Sequence, residues 1–284
     1  MEIQWYPGHM AKAKKLLAES LKPIDIVIEI ADARAPRSTR NPDFEELFRS
    51  KERILLLNKA DLAVPACTSE WIETFTKSGI AAKAVVSTGR RSRDEALAMI
   101  RTAAEPKVSA MLRRGIRKTV RCMIVGIPNV GKSTFINQVA GASRARVGNK
   151  PGVTRSQQWV KITDYLELLD TPGLLWPKLD SRETALHLAW IGSIRDEIMD
   201  REALSAELLR KLLSLDPERV SGLFPHLPGR ETDPELLAAV AEDRNLLLKG
   251  GEPDLERAAD HVLHQFRSGA LGNYTLELPE GEGI

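Results

Sequence analysis

The sequence predicts an α/β fold, with a mainly parallel sheet covered by helices on both faces, followed by a smaller all-helical domain. Two observations support this prediction. Short apolar runs rich in β-branched residues alternate with helix-like segments as far as Leu169, as in chains of βαβ units. After about Asp180, leucine-rich segments at helical spacing replace the strands. We therefore predict one domain over residues 1–178 and an all-helical domain over residues 179–284.

Each predicted strand is a short apolar run that ends in polar or turn residues. The strands are expected at residues 24–30, 54–57, 84–86, 120–125, 157–162 and 166–169, the last two forming a hairpin. The helices are expected at residues 42–49, 69–77, 93–104, 132–139, 203–215, 236–241 and 254–266. Because ligands of parallel sheets bind beyond the carboxyl ends of the strands, the polar segments at those ends are the candidate site.

The composition is that of a folded protein from a reducing compartment. Hydrophobic residues make up 43% and charged residues 28% of the 284 residues, so the chain can bury a core. The two cysteines have no metal-ligand spacing, and no stretch approaches 18 uncharged apolar residues. We expect a cytoplasmic protein without a membrane partner. The net charge of +2 by itself demands no nucleic-acid partner, and we expect no DNA partner. Nothing indicates an obligate dimer, so a monomer is expected.

The segment GIPNVGKS at residues 126–133 matches the phosphate-binding pattern G-x-x-x-x-G-K-[ST], with a predicted strand before it and a helix after it. Successive backbone N–H groups of such a loop point at phosphate oxygens. Lys132 would contact the β- and γ-phosphates, which makes it a candidate catalytic residue, and Ser133 would offer its hydroxyl to Mg²⁺. A chance glycine-rich turn is the alternative. The predicted phosphate contacts are Asn129, Val130, Gly131, Lys132, Ser133 and Thr134.

The segment NKAD, made of Asn58, Lys59, Ala60 and Asp61, follows the second predicted strand and is a candidate base-binding motif. Guanine presents N1–H and its exocyclic amine as adjacent donors, and the carboxylate of Asp61 could accept both. Adenine presents the opposite pattern and would leave that carboxylate unpaired. Asn58 could hold the neighbouring loops and the base edge, and Lys59 could lay its stem across the ring. The alternative is an ordinary strand-to-helix turn.

Three further segments complete the predicted site. Ser87 and Thr88 end the third predicted strand and could support the guanine O6 atom through backbone N–H groups. In the segment DTPG, Asp170 would hold Mg²⁺ and the N–H of Gly173 would sense the γ-phosphate. Thr154 would complete the coordination of Mg²⁺ when the γ-phosphate is present. The alternative for Thr154 is a plain turn residue.

Together with the segments WYPGHMAKA (5–13) and DAR (32–34), these motifs resemble the YlqF/RbgA family of circularly permuted GTPases. In ordinary Ras-like GTPases the phosphate loop precedes the NKxD motif. Here NKAD (58–61) precedes the phosphate loop (126–133), and DTPG comes last. The resemblance is specific over roughly residues 1–176. It implies a circularly permuted P-loop GTPase domain that binds GTP or GDP with Mg²⁺.

The resemblance also implies a bacterial GTPase that assists late assembly of the large ribosomal subunit, with hydrolysis stimulated by the ribosomal particle. Its partners would be that subunit and its ribosomal RNA, contacted by the helical C-terminal domain. The six basic residues from Lys107 to Arg121 would suit phosphate contacts, or they form a solvated helix face. The alternative function is an RNA-binding assembly scaffold that uses GTP as a conformational ligand with negligible turnover. A third is action on another RNA or protein.

The catalytic residues of this chain depart from the Ras-like pattern. Leu174 occupies the position at which Ras-like enzymes carry the glutamine that orients the attacking water. The resemblance points to His9 as its replacement, because a histidine can orient or polarise water near neutral pH. Alternatively, His9 contacts RNA or packs beside Trp5 and Tyr6. The resemblance further suggests that Asn129 is a ligand for K⁺, an additional positive charge beside the phosphates.

Overall fold

The described chain contains a six-stranded sheet. The computed structural model describes residues 15–141, 158–173, 175, 181–194 and 200–279. Its strands are β1 (Ile26–Asp32), β2 (Glu52–Asn58), β3 (Ala81–Ala84), β4 (Val120–Val125), β5 (Gln158–Thr163) and β6 (Leu166–Asp170). They lie in the order β3-β2-β1-β4-β6-β5. All neighbours run parallel except β5 and β6, which form the predicted hairpin.

Helices cover the sheet and then form a region of their own. Residues 15–20 form α1. The other helices before the last strand are α2 (Asp43–Leu47), α3 (Pro65–Lys77), α4 (Arg90–Leu112) and α5 (Lys132–Ala140). The later helices are α6 (Arg182–Trp190), α7 (Arg201–Leu215), α8 (Pro217–Leu223), α9 (Asp233–Asp243) and α10 (Leu255–Ser268). Within the described residues, none is both long and apolar enough to cross a membrane.

The alternating side chains of β1 pack into cores on opposite faces of the sheet. Val27 belongs to a buried cluster with Leu17 of α1 and Phe44 of α2. Ile28 faces the other way and belongs to a cluster that includes Phe135 of α5. Each fully buried side chain of this size contributes about 1.5–3 kcal/mol. The predicted α/β fold with helices on both faces is therefore confirmed.

The core on the α5 side continues into the C-terminal helices. The same buried cluster contains one face of the sheet, four leucines of α7 (Leu204, Leu208, Leu209 and Leu212), and Val262 and Phe266 of α10. In the described residues after position 181, the named elements are all helices, as the leucine spacing indicates. The division into two domains near residue 178 stays a prediction.

Some element boundaries differ from those predicted. β3 is formed by Ala81–Ala84 rather than residues 84–86, because these alanines pair with the apolar residues of β2 and pairing outweighs local propensity. α4 extends well beyond residues 93–104 and passes through Pro106. A proline removes one helical hydrogen bond, but the following turn still packs Val108 against the core. α6 was not predicted, because it is buried on several sides and lacks an amphipathic pattern.

The C-terminal segment runs back onto the part of the chain that forms the sheet. The N–H of Tyr274 donates to the carbonyl of Leu62 over 3.1 Å, and that of Leu276 donates to the carbonyl of Arg34 over 2.7 Å. Glu277 is the main polar anchor of this segment. Its carboxylate accepts hydrogen bonds from the N–H of Ser38 at 2.9 Å and from the Ser38 hydroxyl at 2.8 Å.

The ionised form of Glu277 stabilises the fold. Burial opposes ionisation, but hydrogen bonds from His187 and Ser38 outweigh it and hold the pKa of Glu277 below its ordinary value. The contribution is therefore present above the unfolded pKa of about 4.3 and is lost as the pH falls through the folded pKa. We expect Glu277→Gln to lower the free energy of unfolding at pH 7 by about 1–3 kcal/mol.

Urea denaturation at pH 7 and at about pH 3.5 would measure this difference, which should shrink at the lower pH. The exposed Glu73 provides a matched control. Glu73→Gln should change the free energy of unfolding by less than about 0.5 kcal/mol. Equal losses at both positions, or a Glu277→Gln effect that does not depend on pH, would contradict the prediction.

Candidate nucleotide-binding site

The phosphate loop connects the end of β4 to the start of α5. Gly126, Asn129 and Gly131 have positive φ values of 148°, 63° and 98°, which bend the loop sharply. A Cβ atom on Gly131 would lie 2.2 Å from Nδ2 of Asn58, so only glycine fits there. The loop therefore leads directly into a helix N-terminus, where free backbone N–H groups favour an anion.

Lys132 and Gly173 meet beside this loop. The ammonium group of Lys132 is buried and donates to the carbonyl of Ile127 over 2.7 Å. Burial lowers the pKa of Lys132 to about 8, although Asp170 acts in the opposite direction. A Cβ atom on Gly173 would lie 3.0 Å from Nζ of Lys132 and 2.7 Å from the backbone nitrogen of Pro128. The DTPG segment is thus packed against the phosphate loop with no room for a side chain.

Asp170 and Ser133 offer oxygen atoms that fit Mg²⁺. Oδ2 of Asp170 lies 3.4 Å from Oγ of Ser133. Oδ1 of Asp170 is buried and has no hydrogen-bond partner among the described residues. Burial raises the pKa of Asp170, and the charge of Lys132 counteracts part of that rise. A buried carboxylate oxygen beside a hydroxyl suits the hard ligand preference of Mg²⁺.

Asn58 connects three parts of the site. Its Nδ2 atom donates to the carbonyl of Val130 in the phosphate loop over 2.7 Å. Its Oδ1 atom accepts from the N–H of Ser87 at 3.1 Å and from the Ser87 hydroxyl at 2.7 Å. The side chain therefore holds the neighbouring loops together. The N–H of Ser87 is engaged by Asn58 rather than directed at a base, while Thr88 is exposed next to it.

In the rest of the NKAD segment, Lys59 points into the site and Asp61 lies at the surface. Lys59 has a φ of 57°, and its ammonium group donates to the carbonyl of Asn129 over 2.8 Å. Ala60 begins a short 3₁₀ turn, and Asp61 within it is exposed. The carbonyl of Asp61 accepts from the amide of Asn273 over 2.9 Å. The backbone of this turn is thus held by the C-terminal segment, and the carboxylate is left at the surface.

The buried carboxylate of Asp32 forms ion pairs with two cations beside the NKAD motif. The sequence had not indicated a role for this group. Asp32, at the end of β1, accepts from Nε and a terminal nitrogen of Arg34 at 2.9 and 2.8 Å, and its Oδ2 atom lies 2.9 Å from Nζ of Lys59. Burial opposes ionisation of Asp32, but the charges of Arg34 and Lys59 hold its pKa well below the ordinary value. A run of charged residues at the end of a buried strand is the sequence signal that could have revealed this pair.

The helical region also touches the phosphate loop. The amide of Asn129 donates to the carbonyl of Gly192 over 2.6 Å, and the hydroxyl of Ser193 donates to the carbonyl of Pro128 over 2.7 Å. Gly192 and Ser193 follow α6, whose last carbonyls accept from Arg267 of α10. Because these contacts join residues more than 60 positions apart, the sequence carries no local signal for them.

The structure brings most of the predicted residues to one edge of the sheet. The segments around Asn58, Ser87, Asn129 and Asp170 contact one another there, and Thr134 lies in the first turn of α5. Three predicted positions, His9, Thr154 and Leu174, lie outside the described residues.

The fold and the site define a P-loop GTPase whose motifs follow a circularly permuted order. A family model described as "50S ribosome-binding GTPase" matches residues 121–212. Ribosome biogenesis GTPase A from Bacillus cereus is 41% identical over 284 residues, which cover 100% of this chain and 96% of that protein. The Thermotoga maritima protein of the same name is 33% identical, with 98% and 95% covered. This chain therefore belongs to the ribosome biogenesis GTPase A family.

Solved structures agree with this assignment. The crystal structure described as GNP-bound YlqF from T. maritima superposes with a TM-score of 0.67 at 27% sequence identity and covers 95% of this chain and 99% of that one. The GDP-bound form of that protein superposes with a TM-score of 0.65 at 29% identity, over 94% and 100% of the two chains. Nucleotide binding is therefore a property of the fold that this chain shares.

We expect Asn58→Ala to lower the affinity for guanine nucleotides at least 10-fold, because the Ser87 loop and the phosphate loop lose their common anchor. The buried polar groups left unpaired should also cost about 1–3 kcal/mol of stability. Calorimetric titration with GDP, together with urea denaturation, measures both effects.

Asn58→Asp tests the donor to Val130 separately, because an aspartate keeps the acceptor for Ser87 but places a buried, charged oxygen against the carbonyl of Val130. We expect its affinity to be as low as that of the alanine variant or lower. Wild-type affinity for GDP in Asn58→Ala would contradict the anchoring role.

Proposed function

We propose that this protein binds and hydrolyses GTP to assist late assembly of the large ribosomal subunit, and that the ribosomal particle stimulates hydrolysis. The supporting observation is the meeting of the Asn58, Lys132, Gly173 and Asp170 segments at one edge of the sheet. The names of the relatives supply the ribosomal context. In this proposal the protein is a cytoplasmic monomer, and residues 179–284 form a helical domain that contacts ribosomal RNA.

Each part of GTP has a proposed set of ligands. Asp61 accepts the two donors of guanine, while Lys59 and Asn58 flank the base. The ammonium group of Lys132 moves from its present carbonyl partner to the β- and γ-phosphates, because phosphate oxygens are stronger acceptors. The N–H of Gly173 contacts the γ-phosphate in this proposal, which the close packing of Gly173 against Lys132 supports.

Ser133, Asp170 and Thr154 are the proposed residues that hold Mg²⁺, which neutralises part of the phosphate charge when bound. The orphaned Oδ1 atom of Asp170 supports this role for the described pair. Asn129 is the proposed ligand for K⁺. Its amide nitrogen is bound to the carbonyl of Gly192, which fixes the orientation of the side chain at the phosphate loop.

Hydrolysis requires a positioned water, whose oxygen attacks the γ-phosphorus while the bond to the β-phosphate oxygen breaks. The side chain of Leu174 has no polar atom that could position this water. We assign that task to His9, whose imidazole can accept a hydrogen bond from the water. Lys132 stabilises the charge that develops on the leaving oxygen and the transferred group.

Hydrolysis of GTP should rise at least 10-fold when purified large ribosomal subunits or their late precursors are added, and ATP should not be hydrolysed. Phosphate release measured with and without particles tests this, and small subunits are the control. Nucleotide-dependent binding to particles with negligible turnover would favour the scaffold function instead.

The same assay in K⁺ and in Na⁺ buffer should show faster turnover in K⁺, because Asn129 is the proposed ligand for K⁺. Equal rates in both buffers would remove this role of Asn129.

We expect His9→Ala to lose the particle-stimulated hydrolysis by about 10²-fold or more, as is usual for a general base, and to keep its affinity for GTP. Single-turnover hydrolysis on saturating particles, with GTP binding measured separately, resolves the two quantities. His264→Ala, a histidine on α10 without an assigned role, is the control and should hydrolyse GTP like the wild type. Unchanged stimulated turnover in His9→Ala would remove His9 from catalysis.

A further inference from the structure

The edge of the sheet opposite the nucleotide site carries a concentration of positive charge. The strands β1, β2, β4 and β6 are parallel, so their amino ends share one edge and their carboxyl ends, with the site, share the other. The segment between α4 and β4, residues 113–119, leads to the amino edge. Between Lys107 and Arg121 the sequence has six basic residues and no acid.

Two of these six cations have a structural role. Asp25, which precedes β1, is buried and forms ion pairs with Lys107 and with Lys118, the latter at 3.0 Å. Its Oδ2 atom also accepts from the N–H of Arg121 over 3.0 Å. Burial opposes ionisation of Asp25, but these donors outweigh it and hold its pKa below the ordinary value. Lys107 and Lys118 therefore anchor α4 and the strand that follows to the sheet.

Three arginines of the same segment remain uncompensated. Arg113, Arg114 and Arg117 are exposed, and their side chains make no ion pair or hydrogen bond with the part of the chain that the structure describes. Gly115, with a φ of 75°, turns the backbone between them. Three guanidinium groups within five residues and without a carboxylate partner favour a polyanion at this surface.

An exposed aromatic residue lies at the same amino edge of the sheet as these arginines. Tyr165 is 61% exposed in the turn between β5 and β6. Its carbonyl accepts from the N–H of Val120 over 2.8 Å, which fixes the turn three residues from Arg117. The other exposed ring of this hairpin, that of Trp159, pairs with Leu169 towards the carboxyl end of β6 and lies under Arg121, whose guanidinium is ion-paired with Glu167 at 3.2 Å, so it belongs to a different part of the surface. An exposed ring close in sequence and strand register to uncompensated arginines offers a face on which a nucleic acid base can stack.

We propose that Arg113, Arg114, Arg117 and Tyr165, which we call the basic edge, bind single-stranded RNA. The arginines contact successive phosphates, and the ring of Tyr165 stacks on a base. That this RNA is ribosomal rests on the proposed function. The basic edge belongs to the sheet domain and not to the helical region, and it lies across the sheet from the phosphate loop. RNA and nucleotide therefore bind at the same time without competing.

Arginine substitutions test the phosphate contacts. Binding of the full chain with GDP to a fluorescein-labelled 12-nucleotide oligouridylate is followed by fluorescence anisotropy at several salt concentrations. We expect the triple variant R113Q/R114Q/R117Q to lose at least 10-fold in affinity. The slope of log K against log salt should fall by about 2, because each phosphate contact on a single strand contributes about 0.7. The matched variant R113K/R114K/R117K keeps the charge and should stay within about 3-fold of the wild type.

Tyr165 tests the stacking contact separately. Tyr165→Ala should weaken oligouridylate binding about 5-fold or more, since stacking is worth about 1–3 kcal/mol per base. Tyr165→Phe keeps the ring and should bind like the wild type. Thermal melting and GDP affinity of all variants should match the wild type, because these side chains are exposed and distant from the site.

The outcomes separate this proposal from the proposed function. Equal affinities of the wild type and both triple variants for the oligonucleotide, or no measurable binding by the wild type, would overturn the basic edge. So would a glutamine variant that loses association with large subunits but retains oligonucleotide binding, since the exposed Leu112 and Ile116 would then point to a protein partner. Arginine-dependent oligonucleotide binding without particle-stimulated hydrolysis would support the basic edge and reject only the proposed function.

Discussion

The carboxylate of Asp32 is buried at the end of β1 and forms ion pairs with two cations. Through these cations it helps to position the end of β2, the phosphate loop and α10. Arg34 binds it with two nitrogens, and Lys59 binds it from the end of β2. Breaking a buried pair by removing one partner costs about 3–5 kcal/mol, because the other charge remains uncompensated. Both cations are therefore held in place. Lys59 then donates a hydrogen bond to the carbonyl of Asn129 in the phosphate loop. The guanidinium of Arg34 lies over the ring of Phe266 in α10.

This arrangement joins the nucleotide site to the helical region. From the sheet side, Lys59 and Asn58 bind the backbone carbonyls of Asn129 and Val130. From the helical side, the segment after α6 binds the same loop through Gly192 and Ser193. The phosphate loop thus has hydrogen-bond partners on both sides, and its position and that of the helical region depend on each other.

The sequence was most informative where a local pattern coincides with a physical requirement. The phosphate loop needs glycine at fixed points, and Gly131 meets Asn58 where no Cβ atom fits. β4 was predicted at its observed bounds, because a short apolar run ends at that loop. Boundaries were wrong where tertiary contacts decide, as in β3, whose alanines form a strand only because β2 lies beside them.

The sequence alone predicted the α/β fold, the permuted order of the motifs and the residue types available for guanine, phosphate and Mg²⁺. Each of these depends on periodicity or spacing along the chain. Only the tertiary structure decided which charges are compensated. Asp25 forms ion pairs with both Lys107 and Lys118, which are more than 80 residues away, while Arg113, Arg114 and Arg117 stay exposed. The reason is that electrostatic pairing depends on distance in space, and chain spacing does not encode that distance.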